Sequence, residues 1–234
     1  MEGADYGVLA PAWAGTAASA LASDAAFVQG MLDAEAAWVQ VQADAGLCSM
    51  EDAQAVREVA SVDRYDLALL ASKTPDGANA LIPLLGMMRE LLTHDGSAKT
   101  ASTALHRGAT SQDIIDTALM LVLSKTITLT LADLRSTAGG LADLAREHRS
   151  TVCIARSLTQ HALPTTLGWK AASWLSAVLD AERQLDAATG QLRLQWGGAV
   201  GTLASLEQLL SSHTETPATS KSLASQLADL LGLA

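Results

Sequence analysis

Phe27, Met31, Ala34, Trp38, Val41 and Ala45 follow one another at steps of 4, 3, 4, 3 and 4 residues. That is the spacing of one face of an α-helix. Ser23 and Asp24 stand before it as candidate N-caps, and Gly46 stands after it as a stop. A second helix is predicted over about 49–60. The stretch 73–83 (KTPDGANALIP) reads as a turn, with a helix following over about 84–94 and a break at HDGS (94–97).

From Ser111 to His148 there is no proline, and the only glycines are the pair Gly139 and Gly140. The first half is apolar on every side: Ile114, Ile115, Leu119, Leu121, Val122, Leu123, Ile127, Leu129 and Leu131. A helix of that kind is covered all round by a core or an oligomer interface. The second half narrows to a stripe of Leu134, Ala138, Leu141 and Ala145. At ~1.5 Å per residue the whole element exceeds about 50 Å, the scale of a shared helical bundle. A loop is predicted over 150–164, and Pro164 is expected to open a further helix with the stripe Trp174, Val178, Ala181, Leu185 and Ala188. Trp196–Thr202 (WGGAVGT) reads as a glycine-rich turn, and Thr219–Leu231 as a last capped helix.

Composition sharpens this to an all-α fold. Hydrophobic residues are 49% of the 234 but aromatic ones only 3%, so most apolar positions are Ala and Leu, both strong helix formers. The formal charge of −10, without a basic cluster, argues against nucleic acid or anionic membrane as partners. Cys48 and Cys153 form no CxxC pair and read as free thiols of a reducing compartment. The run from Ala118 to Leu131 is interrupted by Ser124, Lys125 and Thr126 and is read as falling short of a membrane span. With no signal-peptide pattern, a cytoplasmic protein is expected.

Three segments carry candidate chemistry. In GATSQDIIDTALML (108–121), Thr110, Ser111, Gln112 and Asp113 open the long helix. One reading is an N-cap, with Asp113 favoured by the helix dipole. The other is a carboxylate or phosphate site built from free N–H groups and two hydroxyls. His106 and Arg107 directly before it add a proton carrier and a bidentate carboxylate ligand. In RSLTQHALPTT (156–166), the reading is either a surface loop or a donor-rich site with His161 as general acid or base. The third, LQWGGAVGT (194–202), is not GxGxxG. No second pair of ligands accompanies Cys153 and His161, so no metal is expected.

These segments, in this order, resemble the fumarase/aspartase superfamily. HRGATSQDIIDTAL (106–119), RSLTQHALPTTLGWKAASWL (156–175), LQWGGAVGTLASL (194–206) and MLDAEAAWVQVQADAGL (31–47) are most similar to its bacterial 3-carboxy-cis,cis-muconate cycloisomerase branch. The likeness runs from about residue 8 to the end and covers the N-terminal two thirds of such an enzyme. It implies an N-terminal helical domain (1–109), then the first part of a central bundle (110–234), in a cytoplasmic homotetramer without cofactor or metal. The implied activity, in protocatechuate breakdown, is closure of 3-carboxymuconate to 4-carboxymuconolactone through an aci-carboxylate intermediate. By resemblance His161 and His106 are catalytic, and Arg107, Thr110, Ser111, Thr159 and Gln160 bind a small polycarboxylate.

The chain also departs from the pattern. Adenylosuccinate lyases carry a further His where Leu158 stands, which favours the cycloisomerase branch over that fumarate-releasing alternative. VCIARS (152–157) replaces the usual Pro-Met-Ala-Gly-Arg-Thr. The mobile Gly-Ser-Ser loop, which carries the serine assigned as base, would lie beyond residue 234, so little turnover is expected from this chain alone. A non-catalytic helical oligomer is the reading from another class.

Overall fold

The computed structural model describes residues 9–94, 99–213 and 218–234. The HDGS break falls largely outside them. Among the described residues the regular structure is helical apart from one hairpin. In order it forms α1 (Ala17–Leu21), α2 (Asp24–Asp44), α3 (Met50–Val59), α4 (Leu67–Gly77), α5 (Leu81–His94), α6 (Lys99–Ala104), α7 (Ser111–Glu147), β1 (Val152–Ser157), β2 (Gln160–Thr166), α8 (Leu167–Thr189), α9 (Ala204–Ser211) and α10 (Ser220–Leu231). The described residues up to Ser124 together with Leu192–Ala234 make one compact unit, and Lys125–Gln191 make another. The boundary expected at 109/110 falls inside the first.

In the first unit α2 is the central element. Ser23 caps it by accepting from the Ala26 N–H at 3.3 Å, and Gly46 follows its end at φ +73°. Met31, Ala34, Trp38 and Val41 are buried as their spacing predicts, and so are Val28, Leu32 and Val39 on the other sides. Helices α3, α5 and α6 close over one flank with Val56, Leu84, Leu85 and Met88, while α9 and α10 supply Leu206, Leu223 and Leu227 on another. Thr219 caps α10 with a reciprocal box to Ser222, as expected.

The region 73–83 differs from the expectation. Helix α4 runs through Pro75 to Gly77, and only Ala78–Ala80 turn. The Asn79 side chain then accepts from the N–H groups of Leu81 and Ile82 at 3.1 and 3.3 Å, so α5 starts three residues before the predicted 84.

Helix α7 spans 37 residues, as the proline-free run predicts. The helix is long and apolar enough to cross a membrane by length and composition alone, a test that the core helix of a soluble protein also passes. Ile114 and Ala118 are buried in the first unit, whereas Leu119 and Leu123 are exposed.

In the second unit the predicted loop 150–164 is instead an antiparallel hairpin. Val152 pairs with Thr166, Ile154 with Pro164, and Ser157 with Gln160, with an irregularity between Ile154 and Arg156. β-branched residues on both arms favour extended backbone. Leu158 and Thr159 make the two-residue turn with φ of +48° and +65°, the left-handed pair that matches strand twist. Pro164 therefore lies in a strand, and the helix opens at Leu167 under a Thr166 cap whose hydroxyl accepts from the Trp169 N–H at 3.1 Å. The inward face of α8 is Ala171, Leu175, Val178, Leu185 and Ala188, rotated from the predicted stripe; Trp174 is 54% exposed. Arg135 on α7 ties the two helices by pairing with Glu182 at 2.8 Å and Asp186 at 3.2 Å.

Gly168 marks the closest approach. A Cβ there would lie 2.6 Å from the Ala145 carbonyl oxygen and 2.8 Å from the Arg149 backbone. Gly168→Ala is expected to lose about 2–3 kcal/mol, because backbone rather than a flexible side chain must move. A urea titration of the variant checks this.

Candidate active site

Three side chains on one face of α2, Glu35, Trp38 and Gln42, hold the segment that leads into α7. Gln42 donates to the Ala104 carbonyl at 3.0 Å and accepts from Arg107 Nε at 2.8 Å. The Trp38 indole donates to the Arg107 carbonyl at 2.9 Å. Glu35 meets His106 twice, at its backbone N–H (3.0 Å) and at ring Nδ1 (2.6 Å). His106 sits at φ +59° and Gly108 at φ +78°. Two left-handed residues turn the chain sharply before the helix, at a cost for the non-glycine one.

The Arg107 guanidinium is turned onto the protein. Its Nη2 donates to the Leu47 carbonyl at 2.7 Å, beside the bond to Gln42. Nearby, burial pushes the Cys48 thiol up to about 11, against a smaller opposing pull from Arg107. It stays a thiol at neutral pH.

Asp113 does more than complement a helix dipole. It is buried, with 1% exposure. Its Oδ2 accepts from the Thr110 N–H at 3.0 Å and the Gly198 N–H at 3.1 Å, and its Oδ1 accepts from the Gly197 N–H at 2.8 Å. One carboxylate thus caps the start of α7 and staples the WGGAVGT turn against it. Thr117, one turn on, donates to the Gln195 carbonyl at 3.1 Å, and the Trp38 and Trp196 rings pack at a 52° tilt with centroids 4.7 Å apart.

This arrangement bears on the two readings of the helix start. The Asp113 carboxylate takes the Thr110 N–H, and the Asp113 N–H goes to the Thr110 carbonyl at 3.0 Å, so the hydroxyls of Thr110 and Ser111 accept from neither. Neither hydroxyl has a hydrogen-bond partner among the described residues. Both are partly exposed, next to the unpaired N–H groups of a helix N-terminus. Gln112 is exposed and bonds Asp116 at 2.6 Å, away from this role.

Thr159, Gln160 and His161 lie in the other unit, at the tip of the hairpin. All three are exposed, and the Gln160 and His161 side chains have no partner among the described residues. The Thr159 hydroxyl donates to the Leu158 carbonyl at 2.6 Å. Each unit is described by itself, so His106, Thr110 and Ser111 form one cluster and Thr159–His161 another. Sequence reasoning missed Glu35, Gln42 and Asp113's second task. Glu35 and Gln42 were polar residues within an apolar helical stretch, and that was the signal available. Among the described residues no three His, Cys, Asp or Glu side chains gather as a metal site.

An all-α chain whose longest helix opens on an uncapped pair of hydroxyls, behind a buried carboxylate–histidine pair, has the architecture of the fumarase/aspartase enzymes. The chain belongs to the lyase family, which it matches over residues 10–228. It is 42% identical over 200 residues to nitrosuccinate lyase of Streptomyces davaonensis, covering 86% of this chain and 42% of that one. It is 38% identical over 202 residues to 3-carboxy-cis,cis-muconate cycloisomerase of Bradyrhizobium diazoefficiens, covering 85% and 44%. The crystal structure of 3-carboxy-cis,cis-muconate lactonizing enzyme from Pseudomonas putida superposes with a TM-score of 0.85 at 34% identity, covering 93% of this chain and 47% of that one. The chain thus spans somewhat under half the length of these relatives, a smaller share than the two thirds expected.

Proposed function

We propose that this chain contributes the first part of an active site that closes 3-carboxy-cis,cis-muconate to 4-carboxymuconolactone. The observation that carries the reading is the pair of hydroxyls on Thr110 and Ser111, which have no hydrogen-bond partner among the described residues at a helix start that the Asp113 carboxylate anchors. In the reaction a substrate carboxylate oxygen forms a C–O bond to one end of a C=C bond. The electron pair moves to the carbon beside a second carboxylate, and a proton completes that carbon. Thr110, Ser111 and the N–H groups of the helix start hold the carboxylate on which charge accumulates, where aligned donors are worth most. Arg107 adds the donors that Gln42 and Leu47 leave. His106 serves binding and proton transfer in this cluster, and the resemblance gives the same tasks to His161, Thr159 and Gln160 on the hairpin.

The same reading makes the protein a cytoplasmic homo-oligomer, a tetramer when complete. Exposed Leu119 and Leu123 on α7, and Trp169 and Trp174 on α8, support it.

A second reading is a lyase that eliminates across a succinate-type substrate through the same carbanion. The 42% identity to nitrosuccinate lyase favours it. The test is loss of diene absorbance with 3-carboxy-cis,cis-muconate, run on this chain alone and mixed with a polypeptide carrying the remaining half of a relative. Nitrosuccinate is run in parallel. Consumption of the muconate in the mixture, raised about tenfold or more in KM by Ser111→Ala, supports the cycloisomerase. Consumption of nitrosuccinate alone supports the second reading, and neither overturns both.

A further inference from the structure

Glu35 is an acidic side chain placed where water does not reach it. It is 0% exposed, and both bonds it makes go to one residue: Oε2 accepts the His106 backbone N–H at 3.0 Å, and Oε1 lies 2.6 Å from His106 Nδ1. A carboxylate has no proton to give and can only accept. With one oxygen taken by the backbone, the other is matched by a ring nitrogen that carries hydrogen. That choice leaves Nε2 as the other nitrogen of a ring that is itself 15% exposed. The ring cannot turn to exchange the two nitrogens without breaking the Glu35 contact. Trp38 and Gln42, from the same face of α2, hold the neighbouring backbone at Arg107 and Ala104, so the ring's origin is fixed as well.

We propose that Glu35 is a positioning residue, which fixes His106 in the Nδ1–H tautomer and presents Nε2 as the nitrogen that meets substrate. Neutral, Nε2 offers a lone pair that accepts a proton; charged, it returns one. The bond to the backbone N–H serves the same end, because it favours the left-handed turn from which the ring projects. This inference rests on the reading of His106 as a residue of the polycarboxylate site.

The test is a long-range proton–nitrogen correlation spectrum of this chain labelled with 15N-histidine. The chain has five histidines, and His106 is identified by the signals lost in His106→Gln. Above the pH at which the ring titrates, Nδ1 is expected to be the protonated nitrogen and Nε2 the bare one. The opposite assignment in the unaltered chain overturns the proposal without any variant. Glutamine offers one acceptor where Glu35 offers two, so Glu35→Gln cannot accept from both the backbone and the ring. In a folded Glu35→Gln chain the Nδ1–H form is expected to lose its dominance, with the Nε2–H form rising severalfold. An unchanged tautomer there counts against Glu35 as its cause. Where the muconate assay gives turnover, Glu35→Gln is expected to lower kcat about tenfold with little change in KM. Where it gives none, the function reading has failed and the tautomer still decides the role of Glu35.

Discussion

Replacing Asp113 with alanine is expected to lower the stability of the fold by about 3–5 kcal/mol, from the loss of three backbone partners at once. The Thr110, Gly197 and Gly198 N–H groups all donate to this carboxylate, which is buried. Asp113→Asn retains one acceptor oxygen and is expected to lose about half as much. The measurement is the urea midpoint of each variant, compared at unchanged slope. A midpoint for Asp113→Ala within about 0.5 kcal/mol of the unaltered chain would refute the staple. The same substitution also frees the start of α7, so the hydroxyl pair at Thr110 and Ser111 loses its fixed direction together with the fold's stability.

Trp38→Ala is expected to be as damaging, at about 4–5 kcal/mol. Large aromatic side chains in cores lose about 3–5 kcal/mol on truncation, through transfer and cavity terms together. Trp38 has 0% exposure, packs at a tilt against Trp196 and donates to the Arg107 carbonyl. Trp196 packs against both hydrophobic clusters of the first unit, so the tilted pair joins them. Trp38→Phe keeps most of the buried area and discards the indole N–H. It isolates the hydrogen bond, expected at about 1–2 kcal/mol because the Arg107 carbonyl loses its donor. Thermal melts of both variants separate packing from hydrogen bonding.

Much of this protein could be read along the chain. The core face of α2, the length of α7 and its later stripe, and the capped final helix all follow from periodicities that a helix imposes within a few residues. The family likeness was legible too, because its motifs are contiguous stretches such as 106–119 and 156–175. Local signals failed where two structures satisfy the same local rules. The hairpin 152–166 looked like a loop because its turn residues are Leu158 and Thr159 rather than Asn-Gly, and because Pro164 usually ends a strand. Helix α8 keeps Val178, Leu185 and Ala188 of its predicted stripe inward but turns Trp174 and Ala181 out, with Ala171 buried instead.

By itself, then, the chain determined the helices α2, α3, α7 and α10, which family they belong to and which polar residues gather before α7. It could not determine which of those polar residues serve the protein and which are left for a ligand. That was decided by partners far away in sequence: Glu35 lies 71 residues from His106, Gln42 lies 65 from Arg107, and Gly197 lies 84 from Asp113. A hydrogen-bonding group is committed only when its partner arrives. Tertiary packing brought partners to His106, Arg107 and Asp113 and, among the described residues, none to the hydroxyls of Thr110 and Ser111, and so turned a helix start into a candidate binding site.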